Sequence, residues 1–318
     1  MLFVTSLSDV PADFGPSAVT IGKFDGLHTG HRSVLQAVRD AAQDAGLTST
    51  VLTFDRNPLS VLAPERAPDP LVSNEQKREL LADAGIAATV MLHFDRAFST
   101  QSPQQFVQRI LVDALHARIV FVGADFRFGA GGAGSVALLQ QLGPTLGFQV
   151  TVVEAMSLDG THRVSATRIR QLLADGDVAG AAHLLGRPHA VRGTVIRGEQ
   201  RGRTLGFPTA NLSPKLEGFI PADGVYAGLL TVDGQQLPAA ISVGNNPTFD
   251  GVPERQVEAH VLDRDLDLYD KTVEVSFVSR IRGMKKFAGI DALVAQIGRD
   301  VSQVRALLLG DAPHGATR

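Results

Sequence analysis

Ala18-Val19-Thr20-Ile21-Gly22-Lys23-Phe24-Asp25-Gly26-Leu27-His28-Thr29-Gly30-His31 decides how the first half of the chain is read. It opens as an apolar run, passes through a glycine-rich turn, and enters a helical pattern at about His31. Outward from it, runs rich in Val and Ile recur at 48–54, 89–94, 118–123 and 149–153. Between them lie amphipathic stretches at 31–45, 75–84, 103–116 and 136–142. Short apolar runs bounded by Gly, Asp or Pro suit buried parallel strands. Their alternation with helices predicts an α/β domain, a doubly wound parallel sheet covered on both faces. Ligands of such sheets bind at the carboxyl ends of the strands. Helical patterns at 166–174 and 178–185 close this half.

The pattern changes at Gly186-Arg187-Pro188. Strand-like runs with turn signals follow at 190–196, 225–232, 237–243, 255–262 and 272–278, then a helix over 290–309 and a frayed tail. That spacing predicts a small antiparallel β-barrel with a terminal helix. The expected domains are therefore 1–185 and 186–318.

The composition fits two soluble domains. The 318 residues are 44% hydrophobic and 20% charged, with a formal net charge of −3. No basic excess points to nucleic acid, so anion binding must be local. With no cysteine, thiolate catalysis and cysteine-ligated zinc are excluded. The start shows no signal-peptide pattern, and no apolar run approaches the roughly 18 residues that span a bilayer. The expectation is a cytoplasmic protein with no membrane partner; a homo-oligomer is allowed, and its state is left open.

Gly22 and Gly30 let backbone approach a phosphate closely, and the helix start behind them offers N–H groups and a positive dipole end. His28 and His31, three apart, can both face that spot and donate hydrogen bonds as charge develops. The plain alternative is two polar histidines in a surface turn; a position directly after strand and glycine turn favours the phosphate reading. Gly129-Ala130-Gly131-Gly132-Ala133-Gly134 satisfies the dinucleotide fingerprint literally. It is set aside because Asp125–Phe128 intervenes, whereas a Rossmann turn leaves its strand at once. These glycines are expected to form a loop over the ligand.

In the second half, Gly193, Gly198, Gly202 and Gly206 precede Pro208-Thr209-Ala210-Asn211. Glycines at this spacing describe a loop that can wrap phosphates with backbone N–H groups. Thr209 and Asn211 share a face if the segment is extended, and their oxygens suit Mg²⁺. A turn with polar residues facing solvent accounts for them equally well.

The segment Phe24-Asp25-Gly26-Leu27-His28-Thr29-Gly30-His31 resembles the HxGH motif of nucleotidyltransferases, in the longer form of the bacterial bifunctional riboflavin kinase/FMN adenylyltransferase family. Thr53–Pro58, Val122–Gly129 and Val164–Arg170 resemble further family segments in order. Gly198–Leu212 resembles the riboflavin kinase motif G-x-x-x-G-R-x-L-G-F-P-T-A-N; Pro221–Ala227, Gly244–Phe249 and Val257–His260 extend the match. Arg56-Asn57 stands where the family often has Pro-His, and Ala166 where it has a second serine.

The resemblance implies the function: ATP-dependent phosphorylation of riboflavin to FMN and ADP in the second half, and adenylylation of FMN to FAD and pyrophosphate in the first. It implies that His28 and His31 stabilise the triphosphate during attack at the α-phosphorus, with Gly22, Phe24, Asp25 and Gly30 at the ATP. Ser165, Thr167 and Arg168 would bind the β- and γ-phosphates. Asn57, Asp125, Phe126, Arg127 and Phe128 would line the flavin. In the kinase half, Gly193, Gly202, Thr209 and Asn211 would hold ATP, with Thr209 and Asn211 on Mg²⁺. Glu258 would be the general base toward the ribityl hydroxyl, and His260 structural. A monofunctional kinase and a flavin-binding regulator with inactive sites are the rivals.

Overall fold

The computed structural model describes residues 1–154, 164–198, 202, 205–245, 255–264 and 266–310. Arg203, Thr204, residues 246–249 of the motifs and the tail 311–318 lie outside the described residues. The chain divides into two compact units, Met1–Ala166 and Thr167–Arg318.

The first unit is built on a six-stranded sheet in the order β1-β4-β3-β2-β5-β8. The strands are β1 (Leu2–Val4), β2 (Ser17–Ile21), β3 (Thr48–Phe54), β4 (Ala88–Leu92), β5 (Ala117–Gly123) and β8 (Gln149–Val153). All its pairings are parallel. β2 and β4 are buried along their whole length, which is why they read as continuous apolar runs rather than alternating ones. The helix Thr29–Ala45 covers β2 and β3 with Leu35, Val38 and Ala42, and stops at Gly46 in the left-handed region (φ 64°).

Two expectations need correction here. The stretch 103–116 begins as an α-helix, Pro103–Phe106, but continues as a π-helix, Val107–Ala114. Gln108 Nε2 donates to Asp113 Oδ1 at 2.7 Å, five residues on, a spacing that suits the wider turn. The glycines 129–134 form a 3₁₀ turn, Ala130–Gly132, between the short paired strands β6 (Arg127–Phe128) and β7 (Gly134–Ser135). They are neither a Rossmann turn nor an open loop; Ala130 N–H donates to Gln101 O at 2.7 Å.

The second unit is a closed barrel in the order β10-β13-β12-β11-β14-β9. Its strands are β9 (His189–Ile196), β10 (Ala210–Leu212), β11 (Gly224–Val232), β12 (Gln235–Asn245), β13 (Arg255–Val261) and β14 (Thr272–Arg282). Every pairing is antiparallel. Tyr226 and Phe277 meet edge to face in the interior, ring centroids 5.3 Å apart. β13 alternates strictly: Val257, Ala259 and Val261 are buried, while Gln256, Glu258 and His260 are half-buried on the other face. The helix Ile290–Leu309 is tied on by Asp300, which accepts from Arg282 Nε and Nη2 at 2.7–3.1 Å.

Gly193, grouped with the loop glycines yet inside the expected strand 190–196, lies in β9 opposite Val273. A Cβ there would come within 2.6 Å of Leu216, so this glycine admits close packing over the strand. The strand β10 itself was not anticipated from the sequence, because its three residues, Ala210–Leu212, give no periodic signal.

Candidate functional site

In the first unit the chain runs β2, β3, β4 toward one edge, then returns to place β5 on the other side of β2. The strand order therefore reverses between β2 and β5, the place at which sheets of this kind bind ligands beyond the carboxyl ends of their strands. β2 ends at Ile21 and β5 at Gly123. Two predicted site segments, 22–31 and 124–128, leave the sheet side by side at that reversal, with Asn57 four residues beyond Thr53 on the neighbouring β3.

The turn after β2 is strained. Phe24 (φ 46°) and Leu27 (φ 38°) occupy the left-handed region that side chains rarely adopt. Both are buried, and Asp25 Oδ1 accepts from Leu71 N–H at 2.8 Å. Phe24 and Asp25 thus build the turn. Its product is the position of His28, the N-cap of the helix Thr29–Ala45. His28 Nδ1 accepts from His31 N–H at 3.2 Å. With Nδ1 engaged as acceptor, the neutral ring carries its proton on Nε2, the form that can donate to a phosphate. The His28 and His31 rings stack at 3.7 Å and 13°, with Phe24 against His31 at 5.1 Å. Gly30 stands in the first helical turn between them.

In the segment after β5, Phe126 and Phe128 stack at 5.5 Å. Their contacts continue through Phe106, Phe98, Phe94 and Phe54, each ring within 6.4 Å of the next. Phe128, Phe106 and Phe94 are buried, whereas Phe126, Phe98 and Phe54 are partly exposed. Asp125 and Arg127 are exposed beside them. Asn57 Oδ1 accepts from Leu59 N–H at 3.1 Å and so caps its own turn. Asp55 gathers Arg56, His93 Nδ1 (2.8 Å) and Phe94 N–H (3.0 Å). Burial alone would raise the Asp55 carboxyl; the hydrogen bonds from Arg56, Phe94 and His93 outweigh it and hold it below the usual range.

Ser165 directly precedes the helix Ala166–Asp175, and Thr167 and Arg168 are exposed in its first turn. Arg168 Nη1 donates to Gln171 Oε1 at 3.1 Å.

In the second unit, β10 places Asn211 directly opposite Glu258 of β13, with Ile196 of β9 on its other side. Thr209 Oγ1 lies 3.5 Å from Glu258 Oε2, the outer limit of a hydrogen bond. Asn211 Nδ2 is 3.4 Å from the same hydroxyl. Three of the residues singled out from the sequence therefore converge. A cavity of about 460 Å³ includes Thr209 and Asn211 in its wall, together with Arg197, Leu266 and Tyr269; the Arg197 guanidinium lies 5.2 Å over the Tyr269 ring. Gly202 O accepts from Leu205 and Phe207 N–H at 3.1 and 2.8 Å. Gly198 acts through its lack of a side chain: a Cβ would meet the Asn211 amide at 2.7–2.8 Å. His260 Nδ1–H donates to Pro208 O at 2.8 Å and its ring meets Phe207, so it fixes the approach to Thr209.

A riboflavin kinase family model matches residues 185–308, and an FAD synthetase family model matches residues 10–168. The chain belongs to the bifunctional riboflavin kinase/FMN adenylyltransferase family. The Escherichia coli K12 protein of that name is 39% identical over 298 residues, 93% of this chain and 94% of its own. The Pseudomonas fluorescens protein is 36% identical over 96% of this chain and 98% of its own. Among solved structures, a Streptococcus pneumoniae chain matches with a TM-score of 0.85 and 32% identity, covering 96% of this chain and 98% of that one. That structure is titled a macrolide-efflux protein; in the present chain no helix among the described residues is long and apolar enough to cross a membrane.

Proposed function

We propose that the chain carries two ATP-dependent steps of flavin cofactor synthesis, with 1–185 as the adenylyltransferase module and 186–318 as the kinase module. The kinase phosphorylates the ribityl 5′-hydroxyl of riboflavin, giving FMN and ADP. The adenylyltransferase joins FMN to the α-phosphorus of a second ATP, giving FAD and pyrophosphate. The observation that carries this reading is that each unit holds its own convergent polar set: His28 and His31 at a strained helix start, and Thr209, Asn211 and Glu258 on adjoining segments of the barrel.

In the kinase, Glu258 takes the proton from the attacking hydroxyl, and the oxygen displaces ADP from the γ-phosphorus. Thr209 both lines the cavity and reaches Glu258, which suits a nucleotide in the cavity and a flavin hydroxyl at the carboxylate. A hydroxyl and a side-chain amide beside a carboxylate are hard oxygen donors of the kind Mg²⁺ accepts together with phosphates. Thr209 and Asn211 would hold the ion, which when bound neutralises phosphate charge. Gly202 lies in the nucleotide loop, and Gly193 lies in β9, the strand that leads into it.

In the adenylyltransferase, the FMN phosphate attacks the α-phosphorus in line and pyrophosphate leaves, with no covalent enzyme intermediate. His28 Nε2–H and His31 donate to the oxygens where charge grows, and Gly22 and Gly30 allow the approach. The helix start behind Ser165, with Thr167 and Arg168, offers N–H groups and a guanidinium to the outer phosphates. Phe126 and Phe128, flanked by Asp125, Arg127 and Asn57, take the isoalloxazine. The use of ATP fits a cytoplasmic location.

The test is to incubate the purified chain with riboflavin, excess ATP and Mg²⁺ and to separate the flavins over time. FMN rising first and FAD following is the expected result. FMN alone would remove the adenylyltransferase assignment, and no conversion would remove both.

A further inference from the structure

Lys77 is buried, with only 6% of its surface exposed, in a helix whose outer face carries the exposed Glu75–Arg78 pair. The helix Asn74–Asp83 is held at its start by a capping box between Ser73 and Gln76, so its stability does not call for a buried ammonium. Lys77 Nζ donates to Phe54 O, the last carbonyl of β3, at 3.0 Å. Burial pushes its ammonium below the usual lysine range, against the pull of Asp25 and Asp55, which both lie near enough to act on its charge.

Those two carboxylates belong to the two strand ends that matter. Asp25 sits in the turn that presents His28, and Asp55 follows β3 beside the aromatic run. Thr53 Oγ1–H donates to Lys23 O at 3.2 Å and laces the same two ends together. A methionine would fill the space without the cost of desolvating a charge. What it would not supply is a positive charge beneath a cleft that must receive a triphosphate and a second phosphate, beside two carboxylates that repel both.

We propose that Lys77 is a positioning residue for adenylyl transfer, which holds the ends of β2 and β3 in register and offsets Asp25 and Asp55 beneath the phosphates. The inference rests on the adenylyltransferase reading of the first unit. It differs from a purely structural role in needing the charge rather than the volume.

The experiment compares Lys77→Met and Lys77→Arg with the unaltered enzyme, reading FAD formation from FMN and FMN formation from riboflavin in the same preparations. Lys77→Met is expected to lower kcat/KM for FAD formation on the order of ten- to a hundredfold, with a raised KM for ATP. Riboflavin phosphorylation should stay unchanged, and Lys77→Arg should recover most of the loss. An unaltered enzyme that makes no FAD would sink the underlying function, before any variant is read. An unaltered enzyme that makes FAD, with Lys77→Met within twofold of it, would overturn the role of Lys77; so would equal losses in both variants.

If Lys77→Met fails to fold, the pH profile of the unaltered chain decides against that of Lys77→Arg. The groups facing the ammonium are Asp25 from the turn after β2 and Asp55 from the end of β3. FAD formation should then decline on the alkaline side in the unaltered chain earlier than in Lys77→Arg, whose guanidinium keeps its proton. Superimposable profiles would overturn the proposal.

Discussion

The two candidate sites are made in different ways. In the first unit the backbone does most of the work: a strand order that reverses beside β2, a turn with Phe24 and Leu27 at positive φ, and a helix capped by one of its own site histidines. In the second, side chains from separate strands meet across a pairing register, Asn211 opposite Glu258, and a glycine at 198 leaves room for them. A site set by backbone geometry should lose activity when a donor is removed yet keep its shape. A site set by register should be sensitive to any substitution that shifts a neighbour.

The largest effect is expected at Glu258. Glu258→Gln keeps the volume and removes the base, and riboflavin phosphorylation should fall on the order of 10²–10⁴-fold. FAD formation from added FMN should stay at the unaltered rate, as read by flavin chromatography. Next comes His28→Asn, which keeps a good helix cap and deletes the imidazole donor. Adenylylation should fall on the order of 10²–10³-fold, with the kinase step and the melting temperature nearly unchanged. A large drop in melting temperature would mean that the ring matters for folding more than for the phosphate.

Two smaller effects concern the barrel that holds the register. Asp300 is 6% exposed at its side chain against 21% for Arg282. Asp300→Ala leaves that guanidinium without its carboxylate and should cost about 3–5 kcal/mol of stability, seen as an early thermal transition. His189 is fully buried, with Nε2–H donating to Phe219 O at 2.6 Å. Burial, with Arg187 adding to it and the Phe219 carbonyl opposing it, lowers its pKa from 6.5 to about 4. The unfolded chain then binds a proton more readily than the native barrel. The stability this histidine contributes is complete above pH 6.5 and is lost as pH falls toward about 4. The loss approaches roughly 3 kcal/mol. Urea midpoints taken across that window should fall, and fall less steeply in His189→Asn.

Much of this was legible in the sequence because strong periodic signals and motif spacing do not depend on distant contacts. The helix 178–185 and the strands 48–54 and 149–153 appear with the expected limits, and His28 and His31 lie three apart in one turn. What stayed hidden depends on pairing in space. β1 and β10 are three residues each, too short for a period to register, yet β10 closes the barrel and carries Asn211. Lys77 looks like any lysine on a helix until β3 is laid beside it; the nearest signal is its spacing of four from the buried Leu81. The phenylalanine run joins residues from 54 to 128 through strand ends, which no local window contains.

The most direct test of two separate sites in one chain is complementation. Glu258→Gln alone should leave riboflavin largely unconverted, and His28→Asn alone should stop at FMN. An equimolar mixture of the two, given riboflavin, ATP and Mg²⁺, should form FAD, because each chain supplies the step that the other lacks. A mixture that makes no more FAD than the two chains do separately would contradict the account.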